Sequence, residues 1–200
     1  TYLIIKYIEK FHPNQKFIGR IADFKIMKGY NIADINFNES FFMFYELMEK
    51  TNLQQSDLLP KDQLIKFNER FRSPYHVGVG LRFLESYLGD QFEIALKEYF
   101  KKGGNNDLIE ILKKYSNKNI DWFNEFYLAK RTSIDIRIKS VKKKNDSLIV
   151  KIKKFSNNKL PFILAQVKND SVISQQWISD IEKEDIVNLK NLNPDYIAIN

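Results

Sequence analysis

The chain has 200 residues, 44% of them hydrophobic, with 16 Phe, 10 Tyr, no Cys and a formal net charge of +7. That length can bury a core in one large domain or two small ones, and the apolar and aromatic content excludes a disordered chain. The absence of cysteine excludes disulfides and thiolate zinc sites, and it leaves the compartment open.

No run approaches the ~18 apolar residues of a membrane helix, so no membrane span is expected. The chain opens on Thr1-Tyr2-Leu3-Ile4-Ile5, with no initiator Met and no basic leader region. It therefore reads as a piece that starts inside a larger protein and carries no signal peptide of its own.

The first element, Thr1 to His12, has Leu3, Ile4, Tyr7, Ile8 and Phe11 at spacings of three and four, which predicts an amphipathic helix stopped by Pro13. A second helix is expected over Phe17 to Met27, ended by Gly29. The run from Phe41 to Met48 is apolar almost all round and predicts a buried helix. Beyond the break at Leu58-Leu59-Pro60, residues Lys61 to Arg70 read as helical again.

Ser73 to Leu88 follows, directing Leu81, Phe83, Leu84 and Leu88 toward a core and closing at Gly89. Ser73 is a good N-cap, and Pro74 falls at the first helical position, where its missing N–H costs nothing. That places Tyr75 in the first turn. Gly78 and Gly80 each cost about 1 kcal/mol of helix propensity relative to alanine, which signals a neighbouring backbone or ligand that needs the space. Asp90 opens the next helix, Asp107 caps Leu108 to Tyr115, and Ile120 to Leu128 supplies a last, aromatic-rich one.

The period changes after Lys130. Ile134, Ile136 and Ile138 alternate with polar residues, and Leu148, Val150 and Ile152 repeat the pattern across a charged turn, Lys142 to Asp146. Further strands are expected at Phe162 to Lys168, Ser171 to Ser179, Asp185 to Leu189 and Tyr196 to Ile199, with Asn169-Asp170 as a tight turn. Six short strands in seventy residues predict a β-sandwich. The expected fold is α+β: a helical part over 1–130, then a small β-sandwich over 131–200.

The chemistry is defined first by what is missing. His12 and His76 are the only histidines, so no His-Glu-x-x-His helix exists in this chain, and without Cys no common structural zinc site can form; a carboxylate-only site for a hard cation stays open, although no Asp-x-Asp-x-Asp-Gly loop is present. There is no phosphate-binding glycine loop, no dinucleotide fingerprint and no Gly-x-Ser-x-Gly elbow. Residues 130–200 hold 14 Lys/Arg against 8 Asp/Glu, a balance that suits either acidic partners or a solvated lysine surface. No nucleic-acid motif accompanies those lysines, and no nucleic-acid partner is expected.

The stretch Ser73-Pro74-Tyr75-His76-Val77-Gly78-Val79-Gly80, continuing through Leu81 to Leu88-Gly89, resembles a helix of the aminopeptidase N-type gluzincin metallopeptidases. There a Tyr-x-Lys-Gly motif leads into an apolar helix ending near Leu-Gly. Phe92 to Phe100 looks like that family's next helix, and Asp107 to Leu112 followed by Ile120-Asp121-Trp122-Phe123 is similar to its closing segment. Thr1-Tyr2-Leu3 resembles the residues just beyond the glutamate that is the third zinc ligand. Val77 stands where the family usually has Lys, and Tyr127 where a Trp is common.

The resemblance implies a C-terminal portion of a zinc metallopeptidase, in which zinc belongs to the parent protein and its ligands lie upstream of Thr1. It implies that Tyr75 donates its phenolic O–H to the developing oxyanion, and that the partners are a peptide substrate and the remainder of the catalytic domain. Without the resemblance, Tyr75 reads first as a packed core tyrosine. Arg70 and Arg72, just ahead of the motif, are candidates for binding a substrate carboxylate. The other reading is a non-catalytic binding or scaffolding module that uses the basic β-sandwich.

Overall fold

The computed structural model describes residues 1–27, 29–51, 60–63, 74–104, 107–129, 134–156, 159–179 and 181–199; the side chains at 49, 50, 61, 74, 75, 126, 128 and 129 also lie outside the description. The chain is α+β, with helices first and six strands after them. It divides into two units, Thr1–Arg131 and Thr132–Asn200.

Helix α1 spans Tyr2–Phe11, and its last turn ends at His12, ahead of Pro13. It buries Tyr2, Ile5 and Ile8, whereas Leu3, Ile4, Tyr7 and Phe11 are more than half exposed. The face expected inside, apart from Ile8, is therefore outside. Both faces are apolar, so periodicity alone cannot choose between them; charge does. Lys6 and Glu9 flank the buried row and pair with Glu85 and Arg82 across the helix contact. Turning the other face inward would lose both of these pairs.

The segment expected as a helix over Phe17 to Met27 forms only short 3₁₀ turns, Gly19–Asp23 and Lys25–Met27. One α-turn, α2 (Asn31–Asp34), follows, and then α3 (Glu39–Lys50). Helix α3 is not buried all round. Phe41 and Met48 are inside, while Phe42, Met43 and Leu47 are 40–50% exposed. Of the helix expected over Lys61 to Arg70, Lys61–Gln63 is a 3₁₀ turn and the remainder lies outside the described residues.

Helix α4 (Pro74–Leu88) is the axis of this unit, with Leu84 fully buried and Val79, Tyr87 and Leu88 nearly so. Val79 meets Ile5 of α1 and Phe41 of α3 in one apolar cluster. Gly89 takes a left-handed φ of 63°, so α5 (Asp90–Lys101) begins at once, burying Phe92 and Ala95. The Asp107 carboxylate caps α6 (Leu108–Tyr115) by accepting from the Ile109 N–H at 2.8 Å. The last helix starts as α7 (Asp121–Phe123) and widens into a π-helical stretch, Asn124–Ala129, in place of the single α-helix expected.

Helices α5 and α6 are tied by one carboxylate. Glu98 accepts from Lys102 at 2.7 Å, from the Tyr115 hydroxyl and from Lys114 at 3.3 Å. The Lys102 and Tyr115 hydrogen bonds lower its pKa from 4.5 to about 2. In this window the unfolded chain binds the proton first, so stability should be full above pH ~4.5 and decline as pH falls toward 2. A thermal-melt series should show this slope flattened in Glu98→Gln; an unchanged slope would place the acid sensitivity elsewhere.

The second unit is a β-sandwich. Strands β1 (Ile136–Lys144), β2 (Ser147–Lys154) and β5 (Glu184–Lys190) form one antiparallel sheet in the order β1-β2-β5. Strands β3 (Phe162–Lys168), β4 (Ser171–Ile178) and β6 (Tyr196–Ile199) form the other, in the order β4-β3-β6. Alternation does the work: Leu148, Val150, Ile152 and Leu189 from one sheet meet Phe162 and Leu164 from the other in a shared core.

The β1–β2 turn is shorter than expected, because Lys142–Lys144 belong to β1 and Lys144 pairs with Ser147. Only Asn145-Asp146 remains as the turn. Asn169 and Asp170 both take positive φ, 48° and 58°, as a type I′ hairpin requires. Gln166, buried on β3, spans the two sheets. Its amide N–H donates to the Lys190 carbonyl at 2.8 Å, and its oxygen accepts from the Leu192 N–H at 3.2 Å.

Candidate functional site

Helix α4 begins at Pro74, so Tyr75 is the second residue of its first turn. The Tyr75 side chain lies outside the described residues, as do Arg70, Arg72 and Ser73 entirely. What surrounds the first turn can be built from its neighbours.

His76, the next residue, is 2% exposed and sits between two rings. Tyr45 of α3 stacks on it with centroids 5.5 Å apart, and Tyr127 lies 4.9 Å away on a tilted plane. Tyr127 in turn stacks on Phe123 at 5.1 Å and meets Trp122 edge-on at 6.3 Å. Trp122 packs edge-on against Tyr87 near the far end of α4. A continuous aromatic column therefore runs along α4 and holds its N-terminal turn. The sequence marks Tyr127 as one of the aromatic residues of the last helix, and nothing in it links that residue to His76.

The two glycines are explained by close approach within the protein. A Cβ on Gly78 would overlap the Thr1 side chain and reach the Tyr2 backbone N at 3.0 Å. A Cβ on Gly80 would overlap the Tyr127 ring, with Cε1 at 2.6 Å and Cγ at 2.8 Å. The neighbours that demanded glycine are the first residue of the chain and the aromatic column, and neither is a ligand. Tyr75 precedes Gly78 by one turn, so its helix position is on the same face as the contact with Thr1.

Farther along α4, the charged cluster is complete in itself. Glu85 accepts from Lys6 at 2.8 Å and from Arg82 at 2.6 Å, and Arg82 also reaches Glu9 at 3.0 Å. Burial pushes the Glu85 pKa up, but the Lys6 and Arg82 hydrogen bonds outweigh it and hold the carboxyl below its ordinary value. Burial and the adjacent Glu85 charge push the Tyr2 phenol far up, so it remains a neutral donor. These groups satisfy one another and fasten α1 to α4, which fixes Thr1 against Gly78. The pairs Lys6/Glu9 and Arg82/Glu85, each three residues apart, were the available signal in the sequence.

Among the described residues, no group of three or more His, Cys, Asp or Glu is placed to hold a metal ion. His76 lies between aromatic rings and His12 beside Tyr7, so the two histidines belong to different surroundings.

No family model, no curated protein and no solved structure matches the chain.

Proposed function

We propose that the chain is the C-terminal portion of a gluzincin-type zinc metallopeptidase, contributing Tyr75 and a wall of the substrate cleft. The observation that supports this most is the contact between Thr1 and Gly78. On this reading Thr1 follows closely on the glutamate ligand, and Tyr75 is the oxyanion donor. Gly78 brings those two parts of the chain together, one helical turn apart. The order of elements also agrees with the reading: α4 through α7, then a β-sandwich.

The parent's zinc supplies Lewis-acid chemistry to a peptide carbonyl when bound, on residues upstream of Thr1. The role of this chain is positional. The aromatic column packs on His76, and Gly78 and Gly80 let Thr1 and Tyr127 approach the next turn of α4, which supports a preorganised donor one turn before them. Arg70 and Arg72, which precede the helix, are the residues proposed to bind a substrate carboxylate. The test is direct. The complete protein should hold one zinc per chain and release p-nitroaniline from aminoacyl-p-nitroanilides, while the 200-residue chain alone should do neither. Tight stoichiometric zinc or peptidase activity from this chain alone would overturn the reading.

A second reading, a non-catalytic binding module, is favoured by the outer face of the β1-β2-β5 sheet. Arg137, Lys139 and Lys153 surround the half-exposed Phe155 ring at 4.9–5.2 Å from its centroid. Asp135 holds Arg137, and Lys151 and Lys153 share Glu184, so four cations on this face meet two carboxylates. On this reading the chain is retained on immobilised heparin and elutes with salt; passage through the column at low salt would remove it.

A further inference from the structure

Strand β1 is an edge strand, and so is β6 in the other sheet; among the described residues no strand pairs with the outer side of either. The two edges border one groove of about 480 Å³, within the ~300–1,000 Å³ range of ligand-sized clefts. Val141 and Lys143 of β1, Leu148, Asn193, and Tyr196 and Ile197 of β6 line it. Val141 and Tyr196 are 44% and 52% exposed, so the groove has open apolar walls.

The charge along this edge is one-sided. Lys142, Lys143 and Lys144 are consecutive on β1, and among the described residues no carboxylate lies within ion-pair distance of any of them. The register puts Lys142 and Lys144 on the outer face, opposite Ile149 and Ser147, and Lys143 on the groove side, where it donates to the Asn193 side-chain oxygen at 3.1 Å. Asp195, the carboxylate on the groove wall, accepts from the Asn169 N–H at 2.8 Å.

Lysines on an edge strand repel a second copy of the same edge, since like charges would face each other across the new ladder. The same lysines favour an acidic strand. The bulge between Ile138 and Ser140 limits the regular edge to Ser140–Lys144, about five residues. Single-stranded nucleic acid needs a series of stacking rings, and Tyr196 is the one aromatic residue on the groove wall.

We propose that this groove receives an extended acidic peptide, which adds to the edge of β1 and sets its carboxylates against Lys142, Lys143 and Lys144. An added strand repeats side chains on each face every ~6.8 Å, matching Lys142 and Lys144, while the backbone edge supplies the hydrogen bonds. The inference rests on the binding-module reading of the sandwich and is independent of the peptidase reading.

The test is fluorescence anisotropy on the full 200-residue chain, with the labelled heptapeptide Val-Thr-Glu-Glu-Glu-Thr-Val as probe. Saturable binding is expected, and roughly tenfold or more should be lost in the K142E/K143E/K144E variant and with the Lys-Lys-Lys version of the peptide. The same acidic peptide N-methylated at its central residues keeps its charge but loses edge hydrogen bonds, and it should also bind at least tenfold more weakly. Three results would each overturn the proposal: no binding of the acidic peptide, equal binding of the N-methylated peptide, or tighter binding of a seven-nucleotide oligothymidylate. Heparin retention without peptide binding would likewise overturn it, while leaving the broader binding-module reading in place.

Discussion

Tyr75→Phe in the complete protein should lower kcat by about 10²–10³-fold and change KM little. The substitution removes one oxygen and keeps the ring. If the phenol donates its hydrogen bond only where charge develops on the attacked carbonyl, its loss raises the barrier and leaves ground-state binding intact. About 3–4 kcal/mol is the usual worth of such a donor, which sets the expected factor. A packed core tyrosine would behave differently: the phenylalanine variant would melt at a changed temperature and turn over at the parent rate. Kinetics and a melting curve on the same sample therefore separate the two roles. Unchanged turnover would remove Tyr75 from the mechanism.

Gly80→Ala should destabilise the helical unit although alanine is the better helix former. The propensity gain is about 1 kcal/mol. Against it stands a Cβ placed within 2.6–2.8 Å of Tyr127 ring carbons, a ring held by Phe123 on one side and His76 on the other. Overpacking of this kind costs about 1–3 kcal/mol, so the net change should be a loss, read as a Tm lower by a few degrees. The pairing can be isolated by a double-mutant cycle. Tyr127→Ala alone leaves a cavity and costs about 3–5 kcal/mol, but in that background Gly80→Ala should become neutral or stabilising. If Gly80→Ala raises Tm in the parent chain, the close approach is not what selects glycine there.

Residues 132–200 were the more legible part. In β1 and β2 inward and outward positions alternate, so a side chain one position out of register would turn from core to water, whereas β3 is buried on both faces and β4 is largely exposed. Leu148, Val150 and Ile152 state by alternation which face is inside and are buried there, Ile136 and Ile138 are partly buried against them, and Ile134, ahead of β1, is exposed. The helices gave weaker instruction. Helix α1 is apolar on both faces, and the inner one was settled by Lys6 and Glu9 finding Glu85 and Arg82, partners more than seventy residues away. The run over Phe17 to Met27 is interrupted at Gly19, whose φ is +59°, and it folds as 3₁₀ turns.

The opening of α4 shows the same division. Its start at Pro74 and the first-turn place of Tyr75 follow from local chemistry, since a proline at the first helical position needs no N–H. Gly78 and Gly80 announced that something comes close, because no other residue gives up a side chain at that cost. What comes close is Thr1 for one and Tyr127 for the other, and only the tertiary structure decides that. Local sequence sets backbone preference and spacing within a few residues. The identity of a neighbour fifty or eighty positions away is a property of the packed chain, where volume and charge must be satisfied together.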